Sequence, residues 1–332
     1  MKTTKEDVTE LLEKLSALRS EIGKVIIGQE KVVEELLITF CAGGHALLEG
    51  VPGLAKTLMI RTLADSVDAG FRRIQFTPDL MPSDIVGTDI LEEEQGTGRR
   101  VFTFQKGPVF TNILLADEIN RTPPKTQAAL LEAMQEYRVT SAGKTFELDR
   151  PFFVLATQNP VEQAGTYPLP EAQLDRFLMY LKVDYPQEQE EFDVLKQTTG
   201  SEKPVVHAVM SASDVMEIQQ LVRQVSISDD LISYVNSIVR NTRPGENSIE
   251  YVNRWVDWGA GPRAGQAMIL TAKARALFEK RYAVTAEDIR FVAPAVLRHR
   301  LLLNFKAEAE GITPDSVTGA ILDQINPPES KL

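Results

Sequence analysis

Apolar residues recur at three-to-four spacing through residues 4–20, where Val8, Leu11, Leu12, Leu15 and Leu18 share one face and predict a helix. After Val25-Ile26-Ile27-Gly28-Gln29 a second helix is expected from about Glu30 to Ala42. The pattern then shifts to short, continuous apolar runs: Ala46-Leu47-Leu48, Phe71 to Phe76, Asn112 to Ala116, Phe152 to Thr157 and Phe177 to Val183. Runs of this length with few polar interruptions suit strands buried on both faces of a parallel sheet. Helical stretches lie between several of them, as in Lys125 to Tyr137, and strands alternating with helices define an α/β core. Two polar-tipped pairs read as hairpins, 88–91 with 100–104 across Gly96-Thr97-Gly98, and 138–140 with 145–148 across Ser141 to Lys144. From Pro186 onward the periodicity is helical, over about 187–199, 213–224, 228–241, 262–281, 285–303 and 315–325. The expected division is therefore an α/β domain over 1–185 and a smaller all-α domain over 186–332.

Chemistry enters at the end of the first run. Gly50-Val51-Pro52-Gly53-Leu54-Ala55-Lys56-Thr57 follows the strand and leads into helix-prone Leu58 to Ala64. Strand, glycine turn, Lys-Thr and helix together wrap backbone N–H groups around nucleotide phosphates. In that arrangement Lys56 reaches the outer phosphates and the Thr57 hydroxyl ligates Mg²⁺. Ala55 stands where a third glycine is usual, so a negative φ is expected there, with Gly50 and Gly53 supplying the special backbone geometry.

The third run ends in Asp117-Glu118. Two carboxylates at the tip of a buried strand are costly unless something uses them. Beside a phosphate loop, Asp117 can hold Mg²⁺ and Glu118 can polarise the attacking water. The alternative is an ordinary solvated strand end. The fourth run leads into Gln158-Asn159-Pro160, where Asn159 can orient water or contact the terminal phosphate, or simply form a turn before the proline. Arg176 lies just before the last run, with a surface ion pair to Asp175 as its plain reading. Arg263 follows Pro262 at the start of a long helix, where a cation opposes the helix dipole by about 0.3–1 kcal/mol. An anion facing Arg263 explains that cost, and nucleotide phosphate is the candidate.

Composition narrows the choices. At 332 residues the chain is long enough for two cores, and its 43% hydrophobic and 25% charged content is that of an ordinary globular protein. A net charge of −11 argues against general nucleic-acid binding, although Arg99-Arg100 and Arg298-His299-Arg300 are local basic groups. The single Cys41 lies in an apolar stretch and reads as a buried, inert thiol. His45, His207 and His299 show no metal-ligand spacing, and Trp255 and Trp258 either pack the lid or meet a neighbour, packing being the plainer reading. The first residues lack the apolar core of a signal peptide and no run approaches membrane-spanning length, so the expected location is cytoplasmic without membrane insertion.

Together these residues resemble the AAA+ ATPases and, among them, the MoxR family. The resemblance spans nearly the whole chain and is carried by the Gly50–Thr57 loop with its alanine, Leu115-Ala116-Asp117-Glu118-Ile119-Asn120-Arg121, Ala156-Thr157-Gln158-Asn159-Pro160, Glu171 to Phe177 and Pro262-Arg263-Ala264. It implies a P-loop AAA+ core followed by a helical lid, with ATP hydrolysed to ADP in the presence of Mg²⁺. It further implies that Asn159 is the sensor-1 residue, Arg176 an arginine finger and Arg263 the sensor-2 arginine. Ile26, Ile27, Gly28 and Gln29 border the adenine, and Leu58 closes the nucleotide loop. The hairpins near 88–104 and 138–148 match the helix-2 and pre-sensor-1 inserts. The family implication extends to a ring, often hexameric, acting on a protein client, with a partner carrying a von Willebrand factor A domain. Competing expectations are a nucleotide-gated binding platform, a metal-chelatase-like motor subunit and a DNA-dependent motor, the last disfavoured by charge.

Overall fold

The structure, a computed structural model, describes residues 5–93, 100–141, 143–160, 165–201, 204–246 and 248–328. Gly96-Thr97-Gly98, Arg99 and Ala142 therefore lie outside the described residues. The chain begins with α1 (Lys5–Val25) and α2 (Glu30–Cys41). The first helix runs a turn past its expected end, carrying Leu11, Leu15, Leu18 and Ile22 into the core. Next come β1 (Ala46–Gly50), α3 (Lys56–Ser66), β2 (Phe71–Gln75) and α4 (Pro82–Val86). Two hairpins, β3 (Gly87–Glu93) with β4 (Arg100–Lys106) and β6 (Arg138–Ser141) with β7 (Lys144–Glu147), flank β5 (Ile113–Asp117) and α5 (Pro124–Glu136). The α/β part closes with β8 (Phe153–Gln158), α6 (Glu171–Leu174) and β9 (Met179–Val183).

All five apolar runs enter one parallel sheet in the order β2-β5-β8-β1-β9. Period-two alternation sends Leu48, Leu115, Leu155 and Leu181 to one face, against α1, α2 and α3. Leu47, Leu114, Ala116, Val154 and Ala156 face the other way, against Leu130, Leu131 and Met134 of α5. Burial on both faces explains why these strands lack polar alternation. The hairpins join this second layer through aromatic contacts: Phe104 of β4 stacks on Phe146 of β7 with ring centroids 4.1 Å apart.

Beyond β9 the chain continues through α7 (Glu188–Thr199), α8 (Ala212–Gln224), α9 (Asp229–Asn241) and α10 (Glu250–Trp255). It is completed by β10 (Val256–Trp258), α11 (Pro262–Phe278), α12 (Ala286–Leu297), β11 (Leu302–Leu303), α13 (Phe305–Ala309) and α14 (Pro314–Gln324). Two departures from the expected all-α pattern occur here. The helix anticipated over 285–303 stops at Leu297, and Leu302–Leu303 instead pairs antiparallel with Val256–Trp258 as a small ribbon. Trp255 is buried as a packing residue, whereas Trp258 on that ribbon is 74% exposed and does not pack as expected. Buried residues of α8, α9, α11, α12 and α14 form one continuous apolar cluster with α1, α2 and the adjoining sheet face. Cys41 lies within it, and burial raises its thiol pKa to about 12, as expected of an inert cysteine.

Candidate functional site

The parallel sheet brings the glycine turn and the acid pair to one edge. Gly50 ends β1, Asp117 ends β5, and β8 lies between the two strands with Asn159 just past its tip. Gly53 adopts φ +88° and Ala55 φ +54°, after which Lys56 starts α3. The expected negative φ at Ala55 is thus incorrect. Its left-handed backbone turns the chain sharply into the helix, a conformation that costs an L-residue about 1–2 kcal/mol. Such a turn leaves the first N–H groups of α3 without intrahelical acceptors, as an anion-binding helix start requires.

Lys56 Nζ donates to the carbonyl of Gly50 at 2.6 Å, folding the side chain back over its own loop. Burial draws the Lys56 ammonium below the ordinary lysine range, and the charges of Asp117 and Glu118 oppose that shift. The lysine and the acids therefore share one electrostatic site. Asp117 is buried; its Oδ1 accepts from the Thr157 hydroxyl at 2.6 Å and its Oδ2 from Arg73 Nη2 at 2.6 Å. Glu118 adopts φ +59°, and its Oε2 receives Gln75 Nε2 at 2.8 Å and pairs with Arg121 Nε at 3.1 Å. Arg73, Gln75 and Thr157 escaped the sequence reading because only strand register brings them here: Gln75 lies opposite Asp117 in the β2–β5 ladder.

Thr57 and Asp117 suit Mg²⁺, since a hydroxyl and a carboxylate are hard oxygen donors and this ion keeps most of its shell for phosphate and water. Among the described residues no cluster of three His, Cys, Asp or Glu offers an all-protein metal cage.

Ile26 is buried, and Gly28 and Gln29 adopt successive left-handed conformations at φ +68° and +62°. Gln29 Nε2 donates to the carbonyl of Asp184 at 2.7 Å, just past β9, and the Glu190 carboxyl lies over Gly28. The α1–α2 turn thus contacts the segment leaving the sheet beside β1.

Arg176 and Arg263 gather elsewhere. Both line a cleft of about 230 Å³ with His45, Phe177 and Leu178, which precede β1 and β9. This cleft opens at the N-terminal ends of the strands, the edge opposite Lys56 and Asp117. The anion facing Arg263 is the Asp175 carboxylate, 3.5 Å from Nη1, rather than the chain's own phosphate loop. Arg176 does not form the alternative pair with Asp175; its Nη1 donates to the Leu131 carbonyl of α5 at 2.8 Å. Of Arg298, His299 and Arg300, noted above as a local basic group, the first two are buried and the side chain of the third is 4% exposed; all are bonded within the fold, not displayed to a polyanion.

A parallel sheet with a phosphate loop at its C-terminal edge, an acid pair on the next strand but one and a helical lid defines an AAA+ ATPase. The pattern of the ATPase family associated with various cellular activities (AAA) matches residues 45–179, and that of the AAA lid domain matches residues 250–321. Chaperone MoxR1 of Mycobacterium tuberculosis is 44% identical over 93% of this chain and 81% of its own length. Protein MoxR of Methylorubrum extorquens is 31% identical over 90% of each. A crystal structure of a candidate ATPase from Cytophaga hutchinsonii superposes with a TM-score of 0.90 at 46% identity, covering 98% of both chains. This chain belongs to the MoxR family of AAA+ ATPases.

Proposed function

We propose that this protein hydrolyses ATP to ADP and phosphate, as a ring of like subunits that remodels or matures partner proteins. The observation that carries the hydrolytic part is the placement of the Gly50–Thr57 turn and the Asp117-Glu118 pair together at the sheet's C-terminal edge. In this reading the loop 50–58 cradles the phosphates, and Ile27, Gly28 and Gln29 border the base. Thr57 and Asp117 would hold Mg²⁺, which when bound neutralises phosphate charge. Glu118 takes the proton of the attacking water and Asn159 helps to orient that water. The α/β unit covers 1–185 and the lid 186–332.

Assembly follows from where the arginines lie. Arg176 and Arg263 share a cleft at the edge remote from the chain's own phosphate loop, so a nucleotide phosphate that they meet belongs to a second copy. A heterologous contact of that kind closes into a ring, and a hexamer is the family expectation. The chaperone reading rests on the name of the Mycobacterium tuberculosis relative. A protein client, and a partner with a von Willebrand factor A domain, complete the proposal. The proposed location is the cytoplasm; separately, no described helix is long and apolar enough to cross a membrane.

Turnover measured against protein concentration tests both halves. Specific activity should rise as copies associate, and Arg176→Ala should lose on the order of 10³-fold or more, the scale of an arginine supplied in trans. Glu118→Gln should bind ATP yet turn over almost none. Constant specific activity with an unaffected Arg176→Ala would remove the ring from the proposal, and normal turnover by Glu118→Gln would remove the acid's role. A nucleotide-gated platform differs in one respect: client would not accelerate its hydrolysis.

A further inference from the structure

Three consecutive lid residues grip the segment that carries Arg176. Arg298 donates through Nη1 to the Tyr180 carbonyl, and His299 Nε2 meets the Phe177 carbonyl at 3.1 Å. Arg300 donates through Nη2 to the carbonyls of Phe177, at 2.8 Å, and Asp175, at 3.4 Å, and through Nη1 to that of Leu178, at 3.3 Å. Four carbonyls between Asp175 and Tyr180 are thus held by side chains from beyond α12. Three of these carbonyls lie in the turn leading into β9 and the fourth, of Tyr180, in β9 itself, which is an edge strand among the described residues.

The grip reaches functional side chains as well as backbone. Arg300 Nε pairs with Asp175 Oδ1 at 2.7 Å, while the other oxygen of the same carboxylate faces Arg263 Nη1 at 3.5 Å. Asp175 therefore links a buried guanidinium to an exposed one, beside Arg176. The side chains of Arg298 and Arg300 are 6% and 4% exposed, and Arg298 is braced in turn by Asp315 of α14 at 2.9 Å. Burying two guanidinium groups this deeply is rarely the most stabilising use of the space, because desolvation offsets most of the pairing energy. Geometry is what such groups supply well: a planar fork fixes several acceptors at once.

We infer that Arg298, His299 and Arg300 form a positioning clamp through which the lid sets the placement of Arg176 and Arg263 for a neighbouring copy's nucleotide. The inference rests on the proposed trans action of Arg176, and a mixing experiment separates the two.

Copies carrying Arg300→Lys keep an intact phosphate loop; copies carrying Lys56→Ala keep intact arginines. Alone, Arg300→Lys should bind ADP as the parent does, with kcat lower by about 10- to 100-fold and KM unchanged, the scale of a misplaced catalytic group. Mixed with Lys56→Ala, it should recover turnover, because its loops then face a competent arginine pair. A parallel mixture of Arg176→Ala with Lys56→Ala tests the underlying reading. Recovery there without recovery for Arg300→Lys overturns the clamp and leaves trans action standing. Recovery in neither overturns trans action and the clamp with it. Should Arg300→Lys fail to fold, judged by lost ADP binding, Asp175→Asn takes its place in the same mixtures. Parental turnover in whichever of these two variants folds overturns the clamp.

Discussion

Thr157 stands between the two acids of the site. Its hydroxyl donates to Asp117 Oδ1 at 2.6 Å and accepts the backbone N–H of Glu118 at 2.9 Å. One buried oxygen thereby fixes the carboxylate assigned to Mg²⁺ and the left-handed turn that aims Glu118.

Replacing Thr157 with valine keeps the shape and removes both bonds. The cost to stability should be about 1–3 kcal/mol, since a buried N–H and a carboxylate lose their partner together. Turnover should fall by roughly tenfold or more through misplacement of Glu118, with ATP binding largely kept. Chemical denaturation and steady-state kinetics on one preparation check both. Parental kcat in Thr157→Val would show that Glu118 is aimed by other contacts.

Ala55→Gly is expected to stabilise the chain slightly. Relief of the strain at φ +54° is worth about 1–2 kcal/mol, and glycine gives back about 0.4–1 kcal/mol through the freer unfolded chain. A net gain on the order of 0.5 kcal/mol should appear in denaturant midpoints. A loss would mean that the alanine methyl makes contacts worth more than the strain.

Two buried groups should give opposite pH dependences. His45 accepts the Val154 N–H through Nδ1 and donates from Nε2 to the Met134 carbonyl, so only the neutral ring satisfies both partners. Burial lowers its pKa from 6.5 to about 4. The unfolded chain then binds the proton more readily, and stability present above pH 6.5 is lost as pH falls towards 4, by about 3 kcal/mol in full. Glu35 behaves in reverse: burial raises its pKa from 4.5 to about 7, against the opposing charges of Arg298 and Lys31 and with those of Asp315 and Glu34. Its contribution is present below pH 4.5 and is lost as pH rises through 7. Glu35→Gln should therefore match the parent near pH 4 and exceed its stability above pH 7. His45→Gln should remove part of the parent's acid sensitivity between pH 6.5 and 4. Parallel stability curves for parent and variants across that range would refute both assignments.

What the sequence made legible follows from locality. The strands at Ala46, Ile113 and Phe153 were readable because burial on both faces leaves a continuous apolar run, and the phosphate loop because its residues are adjacent. The ribbon of β10 and β11 was not: three residues and two residues carry no period, and Leu301-Leu302-Leu303 looks like a helix continuing. Arg73 and Thr157 became partners of Asp117 only through strand register, which no single segment encodes. The helix start at Arg263 suggests an anion in sequence, and the carboxylate it faces in the structure, Asp175, is one that only the fold brings near. Arg298-His299-Arg300 reads in sequence as a local basic group; only the fold brings it against the backbone carbonyls of Asp175, Phe177, Leu178 and Tyr180.

The uninterrupted apolar cluster from α1 through the sheet face to α12 and α14 has a mechanical consequence. Swinging the lid away from its own sheet would expose leucine and valine side chains all along that seam, and a close-packed interior yields to such shear only in discrete jumps. In the proposed ring, work done by nucleotide turnover would therefore appear mainly as tilting of whole subunits against one another, with force delivered at the joints between copies and not by a hinge inside each.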